Sequence, residues 1–240
     1  MTGPVPPGPS GAGGPHAFVD DLAHPVLDDH DRHHFERSVR LRPGDDLTVS
    51  DGRGGWRRCR FGDDLEPVGD PELVTRAEPQ LTVAFALVKG ERPEWVTQKL
   101  TELGVDTIVP FTAARSVVRW DERKAAVNRD RLERVAREAA MQSRRCWLPV
   151  VAPVASFADV AALPGAVRGD RGGAPLSLAT PTVLVGPEGG WTDDERDALP
   201  AVGLGPQVLR ADTAAIVAGA LLSALRADLV APARLSPEPS

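Results

Sequence analysis

The stretch Thr182-Val183-Leu184-Val185-Gly186-Pro187-Glu188-Gly189-Gly190-Trp191-Thr192-Asp193-Asp194-Glu195 decides the architecture of this chain. A β-branched apolar run enters a Gly-Pro-Glu-Gly-Gly turn. Thr192 with Glu195 three residues on then predicts a capping box that starts a helix at once. Strand, tight turn and helix in direct succession are the grammar of an α/β protein. Three glycines let the main chain take left-handed conformations and let another molecule approach the backbone closely. A loop at the carboxyl end of a strand is also where open α/β sheets bind small molecules. A strand-to-helix turn with no ligand has the same local pattern, so the flanking chain must decide.

Downstream, Leu204-Gly205-Pro206-Gln207-Val208-Leu209-Arg210-Ala211-Asp212-Thr213-Ala214-Ala215 repeats the pattern, with Asp212 or Thr213 as the expected helix cap. The helix from Thr213 to about Leu225 has almost no polar face, which predicts burial in a core and across the interface of a homodimer. Upstream, Leu81 to Val88 reads as an apolar strand. Pro93 suits the first turn of a helix carrying Trp95, Val96, Leu100 and Leu103, with Gly104 as its C-terminal glycine. A strand at Thr107 to Phe111 and a charged helix at Asn128 to Ser143 follow, then a strand near Val150 and a helix near Ser156 to Leu163. The alternation predicts an α/β domain with a largely parallel sheet over residues 76–231. Pro164 to Pro175 reads as a flexible Gly/Arg loop.

Residues 16–75 differ. Leu41 to Gly52 gives a Pro-Gly turn, an alternating strand and an Asp-Gly turn before another strand near Trp56 to Phe61, as in a small β-barrel. Pro67 to Pro79 reads as a linker. Residues 1–15 and 232–240 are expected to be disordered tails, the first without the basic and apolar regions of a signal peptide.

Hydrophobic residues at 42% and charged ones at 26% describe an ordinary globular protein. No apolar run is long enough to span a bilayer, so no membrane partner is expected. Cys59 and Cys146 stand far apart without metal-ligand spacing, which suits reduced thiols in the cytoplasm. The net charge of −6 opposes a nucleic-acid partner, yet the charge is uneven. Arg32 to Arg60 holds eight arginines against four acids, and Arg115 to Arg145 holds ten basic residues against five acids. His30 and His34 lie four apart, but no second ligand cluster accompanies them, so no metal is expected. Trp56 among Arg53, Arg57, Arg58 and Arg60 suits either a base-stacking surface or a core tryptophan. Neither glycine-containing loop matches a dinucleotide or triphosphate fingerprint, so a ligand held mainly by main-chain groups is expected.

Together the two loops resemble the ribosomal RNA small subunit methyltransferase E family, within the trefoil-knotted methyltransferases called SPOUT. Further matches are Lys89 to Arg92, Gln98 to Val105, Arg115 to Val118, and Glu138 to Arg145. His33-His34 and Val39 to Asp45 resemble the family's PUA-like RNA-binding barrel. The resemblance spans about Phe18 to Leu225. The chain departs from the family pattern at Ala211-Asp212 (usually Thr-Glu), Trp191-Thr192 (usually Phe-Ser) and Met141-Gln142-Ser143 (usually Glu-Gln-Ser).

The resemblance implies a knotted homodimer that binds S-adenosyl-L-methionine near Leu178 to Thr180, Gly186 to Gly190 and Leu204 to Ala214. Within those loops the expected contacts are Leu178, Thr180, Gly186, Pro187, Glu188, Gly189, Gly190, Leu204, Leu209, Arg210, Ala211, Thr213 and Ala214. It further implies methylation at N3 of a uridine in 16S rRNA of the small ribosomal subunit. Uridine N3 carries a proton, so the reaction requires a base or cations that stabilise the developing oxyanions. Glu188, Lys99, Arg92 and Arg115 are the catalytic candidates. Arg32, Arg37, Arg40, Arg42, Arg57, Arg144 and Arg145 are the RNA-binding candidates. The alternatives are a knotted methyltransferase with another RNA target and a non-catalytic RNA-binding or ribosome-assembly protein.

Overall fold

The computed structural model describes residues 8, 9 and 13–231. The tails expected at 1–15 and 232–240 therefore lie outside the described residues, apart from 8, 9 and 13–15. The chain divides into two compact units. One comprises the chain up to Ala77 together with Arg137–Leu148. The other comprises Glu78–Ala136 and the chain from Pro149 onward.

The first unit is built on a four-stranded sheet of β1 (His16–Phe18), β2 (Asp46–Ser50), β3 (Gly55–Arg60) and β4 (Glu66–Leu73), in that order. The β1–β2 pair is parallel and the others antiparallel. Between β1 and β2, α1 (Asp29–His34) starts on an Asp28 side-chain cap and runs into a π-helical turn, Phe35–Val39. Phe35, Leu47, Val49 and Cys59 bury the core. Trp56 is 3% exposed and packs with Cys146, so it is a core tryptophan and offers no stacking face. Pro67 to Leu73, expected as linker, is most of β4, because backbone pairing with β3 outweighs its poor strand propensity.

His16 is buried at 2% exposure, with Nδ1 2.8 Å from Thr48 Oγ1 and Nε2 3.2 Å from Ser50 Oγ. Burial, aided by the nearby Arg144 charge, lowers its pKa from 6.5 to about 4. Above pH 6.5 the ring is neutral whether the chain is folded or not, and its contribution to stability is complete. Between pH 6.5 and 4 only the unfolded chain takes up the proton, so stability falls. The loss expected on reaching pH 4 is about 3 kcal/mol. Urea midpoints recorded from pH 7 to pH 4 should show this slope, and His16→Gln should flatten it.

The second unit contains β5 (Thr82–Ala86), α2 (Arg92–Glu102), β6 (Thr107–Thr112), the first part of α3 (Glu122–Gln142), β7 (Val150–Val151), β8 (Ala155–Ser156) and α4 (Phe157–Ala161). It continues through β9 (Ala166–Pro175), β10 (Thr182–Val185), α5 (Asp193–Ala198), β11 (Ala201–Gly203) and α6 (Ala211–Arg226). The strands form one parallel sheet in the order β11-β9-β10-β5-β6-β7, with β8 also on β6. Alternation sorts its faces: Val83 and Phe85 of β5 join the core with α2 and α6, whereas Ala84 and Ala86 join that of α4 and Trp191. Burial of both faces explains the nearly continuous apolar runs.

Gly104, at φ +87, closes α2. Its N–H donates to Thr101 O at 3.0 Å, and Val105 N donates to Leu100 O at 3.0 Å, a Schellman ending with Leu100 and Val105 in one core. The helix expected from Asn128 begins at Glu122, because Asp121 caps Lys124 N at 2.8 Å. Its first turns are exposed, so no apolar period marks them. Residues 166–175, expected as a flexible loop, are β9, paired with both β10 and β11. Among the described residues no helix is long and apolar enough to cross a membrane.

Candidate functional site

Within the second unit, a cavity of about 680 Å³ lies at the carboxyl end of β10, between the loop that follows it and the loop after β11. The Thr192–Glu195 capping box forms as the spacing predicts. Glu195 is buried and does more than cap: one carboxylate oxygen accepts from Thr192 N at 2.9 Å and the other from Ala114 N at 2.8 Å. Gly190 N donates to Pro187 O at 2.8 Å, closing the turn with Gly190 at φ +71. Trp191 packs beneath, its Nε1–H donating to Gly169 O at 3.1 Å and its ring stacked on Phe111.

The glycines have distinct reasons. A Cβ on Gly186 would lie 2.7 Å from the Trp191 indole, whereas one on Gly189 would lie 3.1 Å from Arg115. Gly189 faces away from the cavity, so its small size serves packing rather than ligand approach. Gly186→Ala is expected to cost about 1–3 kcal/mol through overpacking against a ring that cannot retreat. Thermal unfolding should show this loss and a smaller one for Gly189→Ala.

Of the expected ligand contacts, Gly186, Pro187, Glu188, Gly190, Leu204, Leu209, Arg210, Ala211 and Ala214 line the cavity. Leu178, Thr180, Gly189 and Thr213 do not. Gly205, Gln207 and Val208 join the wall from within the second loop, as do Val185 and Trp191 beside the first. Gly169, Asp170 and Arg171 come from the segment read as a separate loop, and nothing local in the sequence connects them to the site. α6 begins at Ala211 with Arg210 as N-cap and no side-chain cap bond, so neither Asp212 nor Thr213 has the expected capping role. Asp212 instead lies in the first turn, where a carboxylate favours the helix N-terminus.

Arg92 is the catalytic candidate that the fold brings to the cavity together with Glu188. It opens α2, and its Nη1 donates to Glu188 Oε1 at 2.8 Å across 96 residues of sequence. Its Nε lies 3.7 Å from Asp212 Oδ2, on a residue only 8% exposed. One guanidinium thus joins α2, the glycine-containing loop and the start of α6. Lys99 is turned into a 2.8 Å pair with Glu102 and does not line the cavity. Arg115 also lies off the wall. It braces the loop from outside, donating to Trp191 O at 3.1 Å.

In the first unit, Arg37, Arg40 and Arg42 are exposed, and their guanidinium groups have no partner among the described residues. Arg32 donates to Gly62 O and Asp63 O, and Arg57 donates to Gly69 O and Leu22 O, so both staple the fold. Arg144 likewise donates to the carbonyls of Pro9 and Gly14, and Arg145 is half-buried. Among the described residues no cluster of His, Cys, Asp and Glu suits a metal.

The RNA methyltransferase domain family matches residues 76–223, and the RNA methyltransferase PUA domain family matches residues 27–64. The chain is 35% identical over 237 residues to ribosomal RNA small subunit methyltransferase E of Mycobacterium bovis, covering 84% of this chain and 88% of that protein. The chain belongs to the ribosomal RNA small subunit methyltransferase E family. Its identity to the Bacillus subtilis family member is 31% over 229 residues, covering 80% of this chain and 86% of that one. Its fold is similar to that of a methyltransferase from Legionella pneumophila solved in complex with the cofactor SAM. That likeness has a TM-score of 0.73 at 25% identity, over 87% of this chain and 96% of the other. The first unit is accordingly PUA-like, and the cavity lies in the family's methyltransferase domain.

Proposed function

We propose that this chain is a cytoplasmic, homodimeric enzyme that methylates N3 of a uridine in 16S rRNA of the small ribosomal subunit, using S-adenosyl-L-methionine. The cavity carries the reading. Its volume lies in the range of small-molecule sites, roughly 300–1,000 Å³. Its chemistry fits the cofactor: Val185, Leu204, Leu209 and Ala214 suit an adenosine, while the Glu188 carboxylate suits a molecule with a sulfonium. The Legionella pneumophila relative holds SAM. A trefoil knot in the second unit belongs to the same reading.

The bound cofactor supplies an electrophilic methyl group. The protein must orient the acceptor and manage its proton. In this reading Glu188 accepts the proton from uridine N3, and negative charge develops on the uracil oxygens. Arg92 then exchanges one anionic partner for another, turning from the protonated Glu188 to the uracil oxyanion. Asp212 holds the guanidinium at the mouth throughout. Arg37, Arg40 and Arg42 contribute the exposed cations of the PUA-like unit to RNA binding.

The dimer interface is assigned to α6. Ala215, Ala218 and Leu222 of this helix are buried in the unit's own core, while Ile216, Val217 and Ala220 stay half-exposed. Calorimetry with S-adenosyl-L-methionine, nucleoside mapping of 16S rRNA from a deletion strain and sedimentation test the three parts. Saturable cofactor binding, loss of N3-methyluridine and a dimer are the expected results. Unchanged N3-methyluridine would defeat the substrate assignment.

A further inference from the structure

Pairing between β9 and β11 is interrupted. Arg168 faces Ala201 and Ala174 faces Val202, so the five residues Gly169–Gly173 have no counterpart on β11. This excursion supplies Asp170 and Arg171 to the cavity wall. Beside it is a second, open recess bounded by Asp170, Arg171, Gly172, Arg196, Gly205 and Pro206. Asp170, Arg171 and Gly205 border both spaces, so the recess adjoins the cavity.

The charges around this recess do not cancel. Arg168 donates directly to the Asp170 carboxylate, while its Nε donates to Leu199 O at 3.1 Å. The acid's charge is thus already met from within the sheet. Arg196 reaches the same carboxylate only at 3.8 Å and Asp193 at 4.0 Å. Asp193 is 95% exposed on its side chain, so that pair holds the arginine weakly. The exposed Arg171 guanidinium has no partner among the described residues. Two arginines with spare donors therefore flank a polar recess on a chain of net charge −6. Guanidinium forks match phosphate oxygens in geometry as well as charge.

We infer that Arg171 and Arg196 bind a backbone phosphate of the RNA beside the target nucleotide, and so position it at the cavity. The inference rests on the proposed function. When a base enters the cavity, its sugar and phosphates stay at the mouth, where the recess adjoins. The anion most easily confused with this phosphate is the cofactor's own carboxylate, and the test separates the two.

The test uses small ribosomal subunits purified from a strain lacking the enzyme. Methyl transfer is measured against subunit concentration at several KCl concentrations, and S-adenosyl-L-methionine affinity is measured by calorimetry. Arg171→Ala and Arg196→Ala are each expected to raise KM about tenfold, with the salt slope of log(kcat/KM) falling by about one per arginine removed. Arg171→Lys should recover part of the loss, because it restores charge without the fork. A loss of cofactor affinity with KM for subunits unchanged would assign the recess to the cofactor's carboxylate and overturn the inference. Variants indistinguishable from an active wild type would also overturn it, leaving the proposed function intact. A wild-type protein that binds no cofactor and methylates no RNA would overturn both.

Discussion

Arg92→Leu is expected to lower kcat for methyl transfer by about 10²–10³-fold, the usual consequence of removing a preorganised charge from a developing oxyanion. The side chain lines the cavity and is held by two carboxylates, Glu188 at 2.8 Å and Asp212 at 3.7 Å. Asp212 therefore keeps the guanidinium at the cavity before substrate arrives, and only the edge that meets Glu188 changes partner. Arg92→Lys should retain part of the rate through its charge. Glu188→Gln should lower kcat as well, because an amide cannot accept the N3 proton. Single-turnover rates at saturating cofactor and RNA decide the matter. A rate for Arg92→Leu within threefold of wild type would remove this arginine from the mechanism.

Arg226→Ala is expected to cost about 3–5 kcal/mol of stability, the penalty for taking one partner from a buried ion pair. Arg226 ends α6 and spends its guanidinium on three groups: the Asp106 carboxylate, Pro79 O at 3.2 Å and Gly104 O at 2.7 Å. Asp106 is 4% exposed and also accepts from Leu81 N at 2.9 Å, at the start of the central strands. The substitution leaves that carboxylate buried and takes its cation away. Ser223 Oγ, donating to Leu103 O nearby, cannot replace the charge. Urea unfolding at pH 7 measures the loss. Replacing the pair together, as Asp106→Leu with Arg226→Met, should cost less than Arg226→Ala alone. If it does not, the penalty comes from packing rather than from stranded charge. Since α6 carries the proposed dimer surface, the single variant should also weaken association.

These residues differ in how far the sequence announces them. Thr192 and Glu195, or Leu100, Gly104 and Val105, interact across three to five positions, so their spacing alone predicts a cap and a Schellman ending. The glycine-containing turn after a β-branched run likewise marks a wall of the cavity. Charge and placement make Arg92 a candidate, but its bond to Glu188 spans 96 residues and follows from the β5–β10 pairing that sets α2 beside the turn. The sequence leaves Trp56 open, because a solvent-facing and a core tryptophan share the same arginine neighbours in a strand. The fold decides for the core.

By itself, then, the sequence determined most of the elements other than β4 and β9, the alternation of strand and helix, the two loops that wall the cavity, and the family. Hydrophobic period, capping and turn chemistry act within a few residues and can be read without a fold. Only the tertiary structure decided that Gly169, Asp170 and Arg171 belong to the cavity, that Gly189 packs against Arg115, and that residues 137–148 join the first unit. Each depends on which strand pairs with which, at what register, and on where a side chain meets a partner far away in the chain. No local pattern carries that information, because contacts of this kind form only when the chain closes on itself.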